Sequence, residues 1–316
     1  MNLQQLRYIH EVARQKLNIS EAAHTLFTSQ PGISKQIRQL EEELGVEIFV
    51  RHGKRLTGIT PPGRAVLEIA GRVLSEVDNL RKVGAEFGRS DEGRLSIATT
   101  HTQARHVLPP VIRAFLSRYP KVKLELHQGN PRQMADMLLN ADADLALVSD
   151  PLDGYDALVS LPCHQWNRCI VTPPDHPLLR EEPLTLEAIA RYPLITYDES
   201  FSGRSAVDRA FLGRGLKPNI ILTALDSDVI KTYVSMGLGI GLLARMAYDP
   251  VADRRLGMRD AAHLFETSTT RLGLRRHAWL RGYEYDFIQA LSPHLSRKVI
   301  ERALFSPAED GEHYSV

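Results

Sequence analysis

Residues 19–45 read ISEAAHTLFTSQPGISKQIRQLEEELG, two helical patterns separated by one turn. Ile19, Ala22, Ala23, Leu26 and Phe27 recur at the spacing of one helix face, with Ser20 as a candidate N-cap. Thr28-Ser29-Gln30 and Pro31-Gly32 break the pattern. Ile33, Ile37, Leu40 and Leu44 then resume it on a further helix, which Gly45 ends as a C-terminal cap. Small Ala22 and Ala23 let two helices approach closely, as a helix-turn-helix requires. Upstream, Leu3, Leu6, Ile9 and Ala13 form the apolar face of a first helix. Downstream, residues 46–60 (VEIFVRHGKRLTGIT) place β-branched and aromatic residues on both sides of His52-Gly53-Lys54, which predicts a hairpin. Three helices followed by a hairpin make residues 1–59 a winged helix-turn-helix.

With those apolar positions turned inward, Gln30, Ser34, Lys35 and Arg38 fall on the outer face of the third helix. Such side chains reach phosphates and base edges from a helix in the major groove. The candidate DNA contacts are Thr28, Ser29, Gln30, Pro31, Ser34, Lys35 and Arg38, with Arg51 and Lys54 (and neighbouring Arg55) supplied by the hairpin. The competing reading is a three-helix bundle with an ordinary solvated face. Glu41, Glu42 and Glu43 favour it, since they would repel DNA, but they sit at the far end of the helix.

Bulk properties restrict the class. The chain has 316 residues, enough for two or three compact units, and is 43% hydrophobic and 24% charged, as soluble globular proteins are. Net charge is only +1, so any nucleic-acid footprint must be local. The N-terminus lacks the apolar run of a secretory signal, and no stretch approaches the ~20 apolar residues that span a bilayer. Cys163 and Cys169 make neither a disulfide framework nor a zinc motif. A reduced, cytoplasmic protein without membrane association, cofactor or metal is expected.

Pro61-Pro62-Gly63 opens a long helix in which Val66, Ala70, Val73, Val77, Leu80 and Phe87 alternate by four and three, with Gly84 in the seam. That repeat predicts helix pairing between subunits over a linker, residues 60–90. Beyond a hinge at Ser90-Asp91-Glu92-Gly93, apolar runs and helical patterns alternate. LSIAT, VKLELH, DLALV, RCIVT, PLITY, NIILTA and GIGLLA are candidate strands; residues 103–118, 132–139, 204–212, 227–236 and 283–291 are candidate helices. The alternation predicts an α/β fold with largely parallel sheets. Two subdomains are expected, 91–162 with 269–305 and 163–268, with a ligand cleft between them and a polar tail at 306–316.

The segment AAHTLFTSQPGISKQIRQLEEELGVEIFVRHGKRLTGITPPG closely resembles the N-terminal signature of LysR-type transcriptional regulators. SIATTHTQARHVLPPVI, LPCHQWNRCIV, PLITYDESFSGRS, DSDVIKTYVSMGLGIGLLA and YDFIQALSPHLSRKVI are similar to its CysB-type branch, regulators of cysteine biosynthesis and sulfur-source use. The resemblance spans essentially the whole chain. It implies a homotetramer on promoter DNA, activation through RNA polymerase, and an effector domain of two α/β subdomains like those of periplasmic binding proteins. It also implies sulfate, thiosulfate or O- or N-acetylserine as effector.

ATTHTQAR joins a strand to a helix, where free backbone amides point outward, and Thr100, Thr102 and Gln103 add neutral donors. The branch's anion contacts map here and onto Ser149, Trp166 and Ser202, with serine at 149 and 202 where threonine is common, leaving a roomier pocket. The bland alternative is an N-cap cluster that serves only its own helix. A fully ionised dianion needs donors alone, whereas phosphate at neutral pH carries a proton that wants an acceptor, so sulfate should be preferred. GLGIGLLA follows a helix and enters a strand, the reverse of a dinucleotide fingerprint, and no hydrolase or P-loop motif is present. Within the class that the resemblance implies, the alternative is a regulator of alkanesulfonate or other sulfur-source use or of a pathway other than sulfur, and two other classes remain. A small-anion solute-binding protein leaves residues 1–59 without a purpose, and an enzyme lacks a positioned nucleophile.

Overall fold

The computed structural model describes residues 1–53, 55–88, 91–149, 152, 154–200 and 203–306. Three expected positions, Lys54, Ser90 and Ser202, and nearly all of the tail at 306–316 lie outside them. The chain forms two compact units, Met1–Phe87 and Gly88–Val316.

The first unit holds α1 (Leu3–Arg14), α2 (Ile19–Thr25), α3 (Gln30–Leu44), the antiparallel hairpin β1 (Phe49–His52) and β2 (Arg55–Ile59), and α4 (Pro61–Gly88). Its core is Leu6, Ile9, Val12, Ala22, Ile33, Ile37, Leu40, Ile48 and Phe49. Three details depart from expectation. The buried stripe of α1 continues from Ile9 to Val12, leaving Leu3 exposed. Asn18, not Ser20, caps α2, its Oδ1 accepting from the backbone N–H groups of Ser20 and Glu21 at 3.1 and 3.2 Å. Leu44 is 39% exposed, and Glu41 turns inward instead.

Glu41 is not a solvated repulsive charge. Its carboxylate accepts from Ile48 N–H (2.9 Å), Phe49 N–H (3.2 Å) and Arg51 Nη2 (3.0 Å), lashing the wing to α3. Gly63 closes the same junction, since a Cβ there would lie 2.0 Å from the Ile48 carbonyl oxygen. The first turns of α4 belong to this core through Val66, Leu67, Ala70 and Leu74. On the other side of these turns Ile69 and Val73 are exposed, as are Leu80 and Phe87 farther along, the last by 85%.

The second unit contains β3 (Glu92–Thr99), α5 (His101–His106), α6 (Leu108–Arg118), β4 (Lys121–Gln128), α7 (Pro131–Leu139), β5 (Leu145–Val148) and β6 (Leu158–Trp166). It continues through β7 (Arg168–Thr172), α8 (Leu186–Ala190), β8 (Leu194–Tyr197), α9 (Arg204–Leu212), β9 (Ile220–Ala224), α10 (Ser227–Ser235) and β10 (Ile240–Ala244). It ends with β11 (Gly257–Asp260), β12 (Ser268–Arg275), α11 (Gly282–Leu291) and α12 (Arg297–Phe305). Two five-stranded sheets result, ordered β4-β3-β5-β12-β6 and β11-β7-β10-β8-β9.

Neither sheet is largely parallel. Each has two parallel pairings (β3 with β4 and β5; β8 with β9 and β10) and two antiparallel ones. β6 runs to Trp166 in the first sheet and β7 begins at Arg168 in the second, so Cys163 belongs to the first sheet and the crossing falls at Asn167. The helix expected over 103–118 is two helices meeting at Val107, because Pro109 and Pro110 lack the N–H groups that would bond Arg105 and His106 carbonyls. Among the described residues no helix is long and apolar enough to cross a membrane.

Removing the Glu41 carboxylate orphans two buried amides at roughly 1–3 kcal/mol each. Glu41→Ala should therefore destabilise the N-terminal unit by about 3 kcal/mol in urea unfolding. Cys163 and Cys169 are both buried, and burial pushes each thiol up to about 12. Neither is a thiolate at neutral pH. Iodoacetamide at about pH 8, below that value, should leave both thiols unmodified in the folded protein and label both after denaturation.

Candidate functional site

In the N-terminal unit, Ser29 caps α3, its Oγ accepting from Gly32 N–H at 3.3 Å, so one orphan amide is already satisfied. Opposite the buried Ile33, Ile37 and Leu40, the side chains of Ser29, Gln30, Pro31, Lys35 and Arg38 are exposed, and Thr28 and Ser34 are half-buried. Arg51 differs from expectation: its guanidinium is drawn onto Glu41, and only 25% of the side chain is exposed. Arg55 is exposed on the hairpin. Phe27, expected on the inner face of α2, lies in the turn with φ +50° and is 97% exposed. A left-handed residue ends α2 there, and the turn carries its ring outward.

In the second unit, the loops leaving β3, β5, β8 and β10 converge at their C-terminal ends, where α/β sheets bind ligands. One cavity is lined on the first subdomain's side by Thr100, Thr102, Gln103 and Ser149, with Trp166 at the crossing. These are five of the six expected effector residues; the sixth, Ser202, lies outside the described residues. The opposite wall is Tyr197, Leu225, Ala244 and Met246, which sequence reasoning did not single out. The only signal for them was their place at or just beyond the ends of β8, β9 and β10. Among the described residues that line it, none is charged. The cavity measures about 30 Å³, room for a ligand of few heavy atoms.

Hydrogen bonding refines the donor set. Thr100 caps α5, its Oγ1 accepting from Gln103 N–H at 3.4 Å, which leaves its own O–H free to donate. Gln103 Nε2 donates to Thr270 Oγ1 at 2.7 Å, so that amide proton is used and Oε1 is the buried, unpartnered end. A hydroxyl donates as readily as it accepts, so a flipped Gln103 amide keeps the Thr270 contact and turns NH₂ inward. Trp166 Nε1, a donor only, is buried without a hydrogen-bond partner. Because α5 has six residues, its dipole adds less than a long helix would.

Across the cleft, Arg105 Nε pairs with Asp228 Oδ2 at 3.1 Å and His101 Nε2 lies 3.9 Å from the same carboxylate. His101, Asp226 and Asp228 group three ligand-type atoms within 4.8 Å. Arg105 and the buried Lys231 (3.2 Å) already neutralise Asp228, and Asp226 caps α10, so the group serves as an ion-pair network. Burial, then the Lys231 charge, holds His106 below the usual histidine range. Burial raises the Tyr197 phenol, keeping it neutral in the cavity wall. Arg204 is buried, donating to the Tyr197 carbonyl (3.1 Å) and Asp208 (2.9 Å).

Comparison with known proteins agrees with this two-part layout. Residues 3–64 match the family "Bacterial regulatory helix-turn-helix protein, lysR family", and residues 88–296 match "LysR substrate binding domain". The chain is 53% identical over 300 residues to the HTH-type transcriptional regulator SsuR of Burkholderia cenocepacia, covering 95% of this chain and 97% of that one. It is 51% identical over 312 residues to the HTH-type transcriptional regulator CysB of the same organism, covering 99% and 100%. Among solved structures, the cofactor-binding domain of the Cbl transcriptional regulator superposes with a TM-score of 0.66 at 45% identity, covering 68% of this chain and 95% of that one. The chain therefore belongs to the LysR family of bacterial helix-turn-helix transcriptional regulators, in the branch of CysB, SsuR and Cbl that governs sulfur assimilation.

Proposed function

We propose that this regulator couples the level of a small sulfur anion in the cytoplasm to transcription from cysteine-biosynthesis and sulfur-source promoters. The carrying observation is the cavity of neutral donors, above all the buried Trp166 indole N–H without a partner. A buried polar group left unpaired costs about 1–3 kcal/mol, which an anion oxygen placed there recovers. With no charged side chain among the described residues that line the cavity, a dianion is bound there by N–H and O–H groups. Sulfate and thiosulfate, with five heavy atoms each, suit a cavity of about 30 Å³ better than larger effectors do. O- or N-acetylserine has more heavy atoms, and its binding requires the subdomains to part. A ligand that favours one spacing of the subdomains over the other supplies the differential affinity that allostery needs.

On DNA, the exposed row Gln30, Lys35 and Arg38 enters the major groove, with Thr28, Ser29, Pro31 and Ser34 at the groove edge. Arg51, fixed by Glu41, and Lys54 set the wing against the backbone. The exposed seam of α4 supports pairing between chains, and a homotetramer contacting RNA polymerase completes the reading.

Calorimetric titration of the full-length protein with sulfate, thiosulfate, phosphate and the two acetylserines tests the effector site. One sulfur ligand should bind more tightly than phosphate, and Thr100→Ala should weaken it about tenfold, one lost hydrogen bond at about 1.4 kcal/mol. Equal affinity for sulfate and phosphate would refute the donor-only cradle. In gel shifts on a sulfur-gene promoter, Lys35→Ala should weaken binding and reduce the salt slope by about 1. An unchanged slope removes Lys35 from the interface.

A further inference from the structure

Beside the cleft, at the first residue of β7, stands Arg168, which does not line the cavity and is only 4% exposed. Its Nη1 donates to the Glu266 carbonyl at 3.1 Å, and its Nη2 donates to Ser268 Oγ and to the Gly203 carbonyl, each at 3.0 Å. The guanidinium carbon lies 5.1 Å from the centroid of the Trp166 ring and 5.9 Å from that of Phe265. Gly203 is shaped to receive it: φ is +88°, and a Cβ there would stand 2.4 Å from Arg168 Nη2.

We infer that Arg168 is the positioning residue of the effector site, a planar fork that sets the Trp166 indole and the Gly203 turn relative to both strands that cross between the subdomains. This rests on the cleft being the effector site. The three accepting groups come from separate stretches of chain. Glu266 and Ser268 flank the returning crossover, and Gly203 precedes α9 beside the sequence-assigned Ser202. Trp166 closes the outgoing crossover and carries the unpartnered N–H of the cavity. A guanidinium fork bonds several carbonyls in one plane while stacking on a ring, and a lysine ammonium cannot do both. Arg168 thus acts on the ligand through Trp166 without touching it.

The test uses full-length protein carrying Trp279→Phe, which leaves Trp166 as the single tryptophan of a chain that has two. Arg168→Lys and Ser268→Ala are compared with that parent by acrylamide quenching of Trp166 and by titration with sulfate and thiosulfate. Quenching without ligand should rise severalfold in Arg168→Lys and in the same direction, but less, in Ser268→Ala. Affinity for the bound anion should fall about tenfold in Arg168→Lys. Basal promoter binding in gel shifts should not change. A purely structural role would lower the melting temperature and leave quenching at room temperature as in the parent; that result overturns the inference, as does full rescue by lysine. If the parent binds neither anion, the effector assignment fails while quenching still decides the role of Arg168. If Arg168→Lys does not fold, parental quenching in Ser268→Ala overturns the inference.

Discussion

At Asn167 and again near Thr267 the backbone leaves one five-stranded sheet for the other, and these crossings constrain the whole effector half. The Thr267 hydroxyl donates to the Asn167 side-chain carbonyl at 3.0 Å, holding the two strands side by side, while Arg245 N–H bonds the Asn167 backbone carbonyl at 2.8 Å. With only two strands joining them, the subdomains have few coordinates along which to move. Opening and closing about this pair is the cheap one, because it leaves both sheets and both sets of core contacts intact. The cavity lined by Thr100, Gln103 and Trp166 sits beside these crossings.

The DNA-reading half solves a different problem, the fixing of a small wing. A four-residue strand against a five-residue strand is marginal by itself. Glu41 supplies what the hairpin lacks by accepting from two backbone amides of the wing and one guanidinium. Its charge is turned into the protein, so the acidic end of α3 presents less negative potential outward than the residue count suggests. Glu42 and Glu43 remain exposed at the end of α3 remote from Gln30 and Lys35.

Much of this architecture was legible in the chain because its elements advertise themselves locally. The helix-turn-helix, the hairpin and seven strands follow from apolar periodicity, β-branched runs and turn residues. What escaped notice lacked such a signal. In β6 (LVSLPCHQW) a proline and a polar end interrupt the apolar run, β12 (STTRLGLR) is half polar, and β11 (GMRD) is a short edge strand. The parallel character was overestimated because β12 returns from the far end of the chain to pair antiparallel with both β5 and β6. The cavity divides in the same way. Thr100, Thr102, Gln103, Ser149 and Trp166 were legible, some from a strand-to-helix junction and others only through family resemblance. Tyr197, Leu225, Ala244 and Met246 were not, since apolar residues at strand ends look like ordinary core until the opposite lobe folds over them. The role of Arg168 was equally hidden, with acceptors among the described residues lying 35, 98 and 100 positions away.

The short helix α5 shows one face to the cavity through Thr102 and Gln103 and extends His101 and Arg105 towards Asp228 on the other lobe. Cavity wall and inter-lobe ion pair therefore share one helix of six residues, and neither can shift without the other. The grip is half exposed, with 56% of the Arg105 side chain in water, so dissolved ions weaken it by ordinary screening. Ionic strength therefore acts on the contact between the two lobes at Arg105 and Asp228, a few residues from the cavity.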